Sequence, residues 1–130
     1  MGPVDWLAVV LAAAAASGVG MVRHGPWFRP GRPILPGGLR PAGFSILMVL
    51  VFLLAAAMLG HSFARIGAET LDARPWLYFM QSGGIALAFV IPAILLTHTR
   101  QNAQGIQRLA DALFWLIAYL AMGLVFWLLG

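Results

Sequence analysis

Cysteine and lysine are both absent from this 130-residue chain. Without cysteine there is no disulfide, no thiolate metal site and no thiol redox chemistry. Without lysine, the formal net charge of +4 rests on eight arginines set against four acids. Charge of either sign is scarce: only 9% of the residues carry it, where a soluble domain has about 25%. With 62% of the chain hydrophobic, a water-facing surface cannot be assembled, and lipid has to be the solvent. Catalytic signatures are missing as well. The chain has no paired carboxylates, no G-x-S-x-G turn, no H-E-x-x-H and no phosphate-binding loop. Neither an enzyme nor a cofactor is expected.

What the chain does have is long oily runs: Trp6–Val22, Phe44–Phe63, Trp76–His98 and Leu109–Leu129. A helix rises about 1.5 Å per residue, so a hydrocarbon layer of about 30 Å takes roughly 20 residues. With their flanking residues the runs predict spans over about 5–23, 43–63, 75–98 and 109–129. Backbone polar groups inside lipid must be satisfied within their own segment, which makes each span a helix. The expected fold is all-α, a single domain over 1–130 forming a four-transmembrane-helix bundle. A cleaved signal peptide fits the first run poorly. A signal carries positive charge ahead of its apolar core, whereas here Asp5 precedes the core and the arginines follow it.

The one long polar stretch, "RHGPWFRPGRPILPGGLRP", joins the first two spans over about 24–42 and is rich in proline and arginine. Arg23, Arg29, Arg32 and Arg40 cluster there, and Arg100 and Arg108 flank the third connection. The second connection holds Arg65 and Arg74, offset by Glu69 and Asp72. The positive-inside rule then puts the first and third connections in the cytoplasm and both termini on the outer, periplasmic side. Interfacial tryptophans agree, with Trp6, Trp76 and Trp127 on the outer side and Trp27 on the inner. Juxtamembrane arginines each add about 1 kcal/mol of attraction to an anionic surface. Arg23, Arg29, Arg32 and Arg40 are therefore expected to anchor the protein to lipid headgroups or a partner's acidic surface, and nucleic acid is not an expected partner.

Helices in lipid associate through close approach of small residues more than through the hydrophobic effect. Ala8, Ala12, Ala16 and Gly20 recur every four residues on the first span, and Ala56 and Gly60 do so on the second. These predict helix-packing seams, within the chain or between copies. The third span offers Gly84 and Ala88, then Pro92, which removes a backbone hydrogen bond.

No charged residue falls near the middle of a span, which disfavours a carrier built on a buried carboxylate. Asp5 and Asp111 stand at span starts, where a carboxylate caps free amides and complements the helix dipole. Asp111, paired with Arg108, is expected to cap the fourth span or to contact a partner. His61, Ser62, Gln81 and Ser82 form a candidate polar cluster in the outer half of the bundle, open to readings as interhelical hydrogen bonds or as a small pocket. The three histidines do not suggest a metal site. His24 and His98 belong to one side and His61 to the other, and zinc normally takes three or four protein ligands.

The opening "DWLAVVLAAAAASGVGMVRHGPWF" and the closing "LADALFWLIAYLAMGLVFW" resemble a bacterial family of small membrane proteins, domain of unknown function 1761. The resemblance is carried by the acidic or amide residue beside Trp6, the exit His24-Gly25-Pro26-Trp27-Phe28, Asp111 at the last span and the pair Met122-Gly123. Arg23 stands where that family usually has an aromatic residue. The resemblance implies a four-helix integral fold in a bacterial cytoplasmic membrane, with no agreed activity. The functional expectation is a non-enzymatic membrane protein acting through helix packing, as a homo-oligomer or as an accessory subunit of a larger complex. The alternative is a small homodimeric transporter or channel with its path beside Gln81, Ser82, His61 and Pro92.

Overall fold

The computed structural model describes residues 3–24 and 41–130. Their secondary structure is helical throughout, and no strand occurs among the described residues. Helix α1 runs Trp6–His24 and α2 runs Pro41–Ile66. A short α3, Ala68–Ala73, leads into α4, Trp76–Ile85. A π-helical turn, Ala86–Val90, continues directly into α5, Ile91–Arg100, and α6 covers Gly105–Leu129. Four stretches are long and apolar enough to cross a membrane: Trp6–Arg23, Gly43–Ile66, Trp76–Arg100 and Gly105–Leu129. The protein is a multi-pass, all-α membrane bundle.

Glycine and proline punctuate the elements. Gly67, at φ 94°, separates α2 from α3 in a backbone region open to glycine without a steric penalty. In the third span, Pro92 has no N–H to give to the carbonyl four residues back. Just ahead of it the hydrogen bonding widens by one residue, and the Ile91 N–H donates to the Ala86 carbonyl. Such π turns are inserted where the regular ladder is interrupted. The span continues as α4, π turn and α5 in succession.

Helix α1 lies between α2 and α6, and α6 packs in turn on α4, the π turn and α5. Small residues permit these approaches. Ala8, Ala12, Ala16 and Gly20 are all buried against the neighbouring helices, as are Ala56 and Gly60 on α2. A Cβ placed at Gly60 would sit 2.8 Å from Val9, and one at Gly20 would run into Met48, so α1 and α2 touch along most of their length. On the other side of the bundle, Gly123 of α6 fits against Ser82 and the Tyr78 carbonyl of α4. The interior is completed by aromatic side chains. Phe52 meets Phe114 and Trp115 across α2 and α6, with ring centroids 6.2 and 5.4 Å apart. Toward the termini, Phe63 packs on Tyr78 at 4.9 Å and on Phe126 at 5.0 Å. The outward surface is Leu, Val, Ile, Met and Phe, among them Val22, Leu54, Phe89 and Leu96, as a lipid-facing wall requires.

Candidate functional site

The polar heart of the molecule lies where α1 ends and α5 turns back into α6. Helix α5 stops in a Schellman arrangement. Asn102 takes φ 57°, the Ala103 N–H donates to the His98 carbonyl at 3.0 Å, and the Asn102 N–H donates to Thr99 at 3.4 Å. Asparagine is among the few residues that enter this left-handed region readily. The resulting tight hairpin starts α6 at Gly105 and lays its second turn beside the last turn of α5.

Asp111 occupies that second turn and faces a guanidinium and an imidazole. Its Oδ1 accepts from Arg23 Nη2 of α1 at 3.0 Å. Its Oδ2 lies 3.0 Å from His98 Nε2 of α5. One carboxylate thereby ties three helices, with each oxygen committed to a different partner. An ionised carboxylate only accepts, so Nε2 of His98 carries the hydrogen. The His98 side chain is 11% exposed and that of Asp111 21%, enough shielding to strengthen these bonds over those of a surface pair. Two nitrogens of the same group, Arg23 Nε and His98 Nδ1, are buried with no hydrogen-bond partner among the described residues.

This geometry corrects the reading of Asp111 as a cap paired with Arg108. The helix begins six residues earlier than Asp111, so its free amides are out of reach of that carboxylate. Arg108 instead donates through Nε to the Ala103 carbonyl at 3.0 Å, closing the hairpin. Arg23, expected to reach toward headgroups or a partner, turns inward to Asp111 because the paired carboxylate is the nearest compensation for its charge. Arg29, Arg32 and Arg40 lie outside the described residues, as do Trp27 and the side chain of His24. The triad was legible only in part. Asn102 is a helix-stop signal in "THTRQNAQG", and placing the stop there would have set His98 opposite Asp111.

The expected polar cluster is divided among three faces. His61 donates through Nδ1 to the Ala57 carbonyl at 2.8 Å and stands edge-on to Trp6 at 5.7 Å. Ser82 is fully buried, donating to the Tyr78 carbonyl at 2.9 Å and filling the notch at Gly123. Ser62 and Gln81 do come together, with Arg65, in a shallow open groove between α2 and α4. Helical registers separate these residues: His61 and Ser62 are neighbours in sequence but about 100° apart around α2, and the same holds for Gln81 and Ser82.

At the opposite end of the bundle, Asp5 accepts the Ala8 N–H at 3.1 Å and caps α1. Among the described residues no three His, Asp or Glu side chains gather as a metal site. The third span divides its small residues between two faces: Ser82, Gly83 and Ala86 are buried inside the bundle, and Gly84, Ala88 and Pro92 are not used there. A Cβ at Gly84 would meet nothing within 4 Å, and Ala88 and Pro92 are exposed. The chain matches no protein-family model, no curated protein and no solved structure.

Proposed function

We propose that the chain is a non-enzymatic protein of a bacterial cytoplasmic membrane that works by lateral packing, as a homo-oligomer or as an accessory subunit of a larger membrane complex. In this reading both termini face the periplasm, and the arginine-rich connection lies on the cytoplasmic leaflet. Kinship with domain of unknown function 1761 belongs to the same proposal, supported by the residues at the two ends of the chain. The observation that carries it is the unspent face of the third span. Within the 18-residue apolar stretch of the third span only 17% is buried inside the chain, against 33% in the corresponding stretches of the first and fourth spans. On that open face Gly84, Ala88 and Pro92 recur at spacing four, the pattern that lets a second helix approach closely in lipid. The seams of α1 and α2, by contrast, are consumed within one copy.

The test is chemical crosslinking in native membranes followed by native-gel sizing in mild detergent. A species larger than one copy is expected, and Gly84→Leu should dissociate it while leaving the monomer's melting temperature unchanged, because the position is open. A single-copy species from native membranes, with nothing crosslinked to it, counts decisively against the proposal. The transporter or channel alternative draws less support. Its path needs Gln81, Ser82 and His61 on one wall, but Ser82 is sealed against Gly123 and His61 turns to Trp6.

A further inference from the structure

The end of the bundle that carries both termini holds a cavity of about 330 Å³, within the size range of small-molecule sites. Its walls are apolar and aromatic. Phe63 packs at a tilt on both Tyr78 and Phe126, and Leu71 of α3 lines one side. Two carboxylates, Asp5 and Asp72, stand on its lining, and no arginine or histidine among the described residues joins them. That is a notable local inversion in a chain of net charge +4. Asp5 spends one oxygen on the Ala8 N–H, while its second oxygen has no partner among the described residues. Asp72 makes no ion pair there either, although Arg65 and Arg74 are close in sequence. Tyr78 is only 6% exposed, and its hydroxyl faces the cavity beside Gly130 without a hydrogen-bond partner among the described residues. That hydroxyl is available to whatever enters.

We infer that this cavity binds an organic ammonium group, carried either by a lipid headgroup or by a free amine. Aromatic faces attract a cation through their quadrupoles, and two exposed carboxylates at the cavity's mouth, without a cationic partner among the described residues, add Coulomb attraction. The Tyr78 oxygen accepts from an N–H of a primary amine, or lies against the methyl groups of a quaternary one. An inorganic divalent ion fits less well, since calcium takes six to eight oxygen ligands and much of this wall is hydrocarbon. The cavity lies within one copy of the chain, so the inference is independent of any oligomer.

The full-length protein in phosphatidylglycerol nanodiscs is titrated with choline by calorimetry, with 3,3-dimethylbutan-1-ol as the uncharged isostere. Saturable choline binding is expected, with much weaker binding of the alcohol. Asp72→Asn and Asp5→Asn should each weaken choline by about tenfold, the effect of losing one close opposite charge. Asparagine at position 5 still caps α1, so folding is retained. Glu69→Gln, on the same α3 but off the cavity, should leave binding unchanged. Adding phosphatidylethanolamine to the discs distinguishes the two sources. Displacement of choline identifies a lipid-borne head, and undisturbed binding identifies a free amine. Equal affinity for choline and the alcohol, indifference to both Asn variants, or no saturable heat would each overturn the assignment.

Discussion

Asp111 shows how much one side chain can organise when it has two partners on two other helices. Taking it away leaves Arg23 and His98 without their carboxylate in a half-shielded corner, where Arg23 Nε and His98 Nδ1 have no other partner among the described residues. Stranding buried donors costs about 1–3 kcal/mol, more for a charged one. Asp111→Ala is therefore expected to lower the melting temperature in detergent by several degrees. Arg108→Gln, which loses one bond to a carbonyl, should cost under about 1 kcal/mol. A thermal-shift series that ranks Arg108→Gln as the more damaging change would show that the triad is not what binds these helix ends. At this scale the sequence was an incomplete guide. It marked Asp111 as unusual, but a carboxylate three residues from an arginine reads as a local pair. Nothing in a linear string reveals that Arg23, 88 residues away, is the partner.

The hairpin between α5 and α6 carries its own signal at the level of elements. Asn102 sits at φ 57°, where a β-branched residue pays a steric penalty of about 1–2 kcal/mol and glycine none. Asn102→Val should destabilise the protein by that amount, and Asn102→Gly should be neutral or slightly stabilising. Circular dichroism melts of the two variants check it, and a tolerant Val variant would sink the idea that this turn sets the register of α6. The third span illustrates the opposite case. Pro92 was visible as a disruption, but its expression as a π turn at Ala86–Val90 depends on neighbours. The ladder widens ahead of the proline rather than breaking, so α5 continues as helix and delivers His98 to Asp111.

Across the whole molecule, the division of surfaces follows from which small residues are already occupied. The alanine stripe of α1 is enclosed by α2 and α6, whereas the Gly84–Ala88–Pro92 stripe faces outward. Both look alike in sequence, and only assembly tells an internal seam from an open one. The orientation of the bundle rests on arginine placement, a rule about insertion rather than packing. Reporter fusions after residues 40 and 103 are expected to read cytoplasmic, and a fusion after residue 73 periplasmic. The reverse pattern would overturn the topology while leaving the fold intact. The four spans and the all-helical class were legible from composition and run length, because hydrocarbon admits no unsatisfied backbone. The aromatic cavity beside Gly130 was not, since Asp5, Asp72 and Tyr78 come from separate parts of the chain.

The sequence by itself determined that this protein lives in lipid, crosses it four times and carries its basic loops on one side. Those features follow from transfer energies and charge counts, which add along the chain residue by residue. Only the tertiary structure decided which small residues are spent, that Asp111 answers Arg23 and His98, and that two carboxylates share an aromatic cavity. These depend on rotation and neighbour choice among helices of nearly uniform greasiness, and an apolar face looks the same to lipid as to another helix.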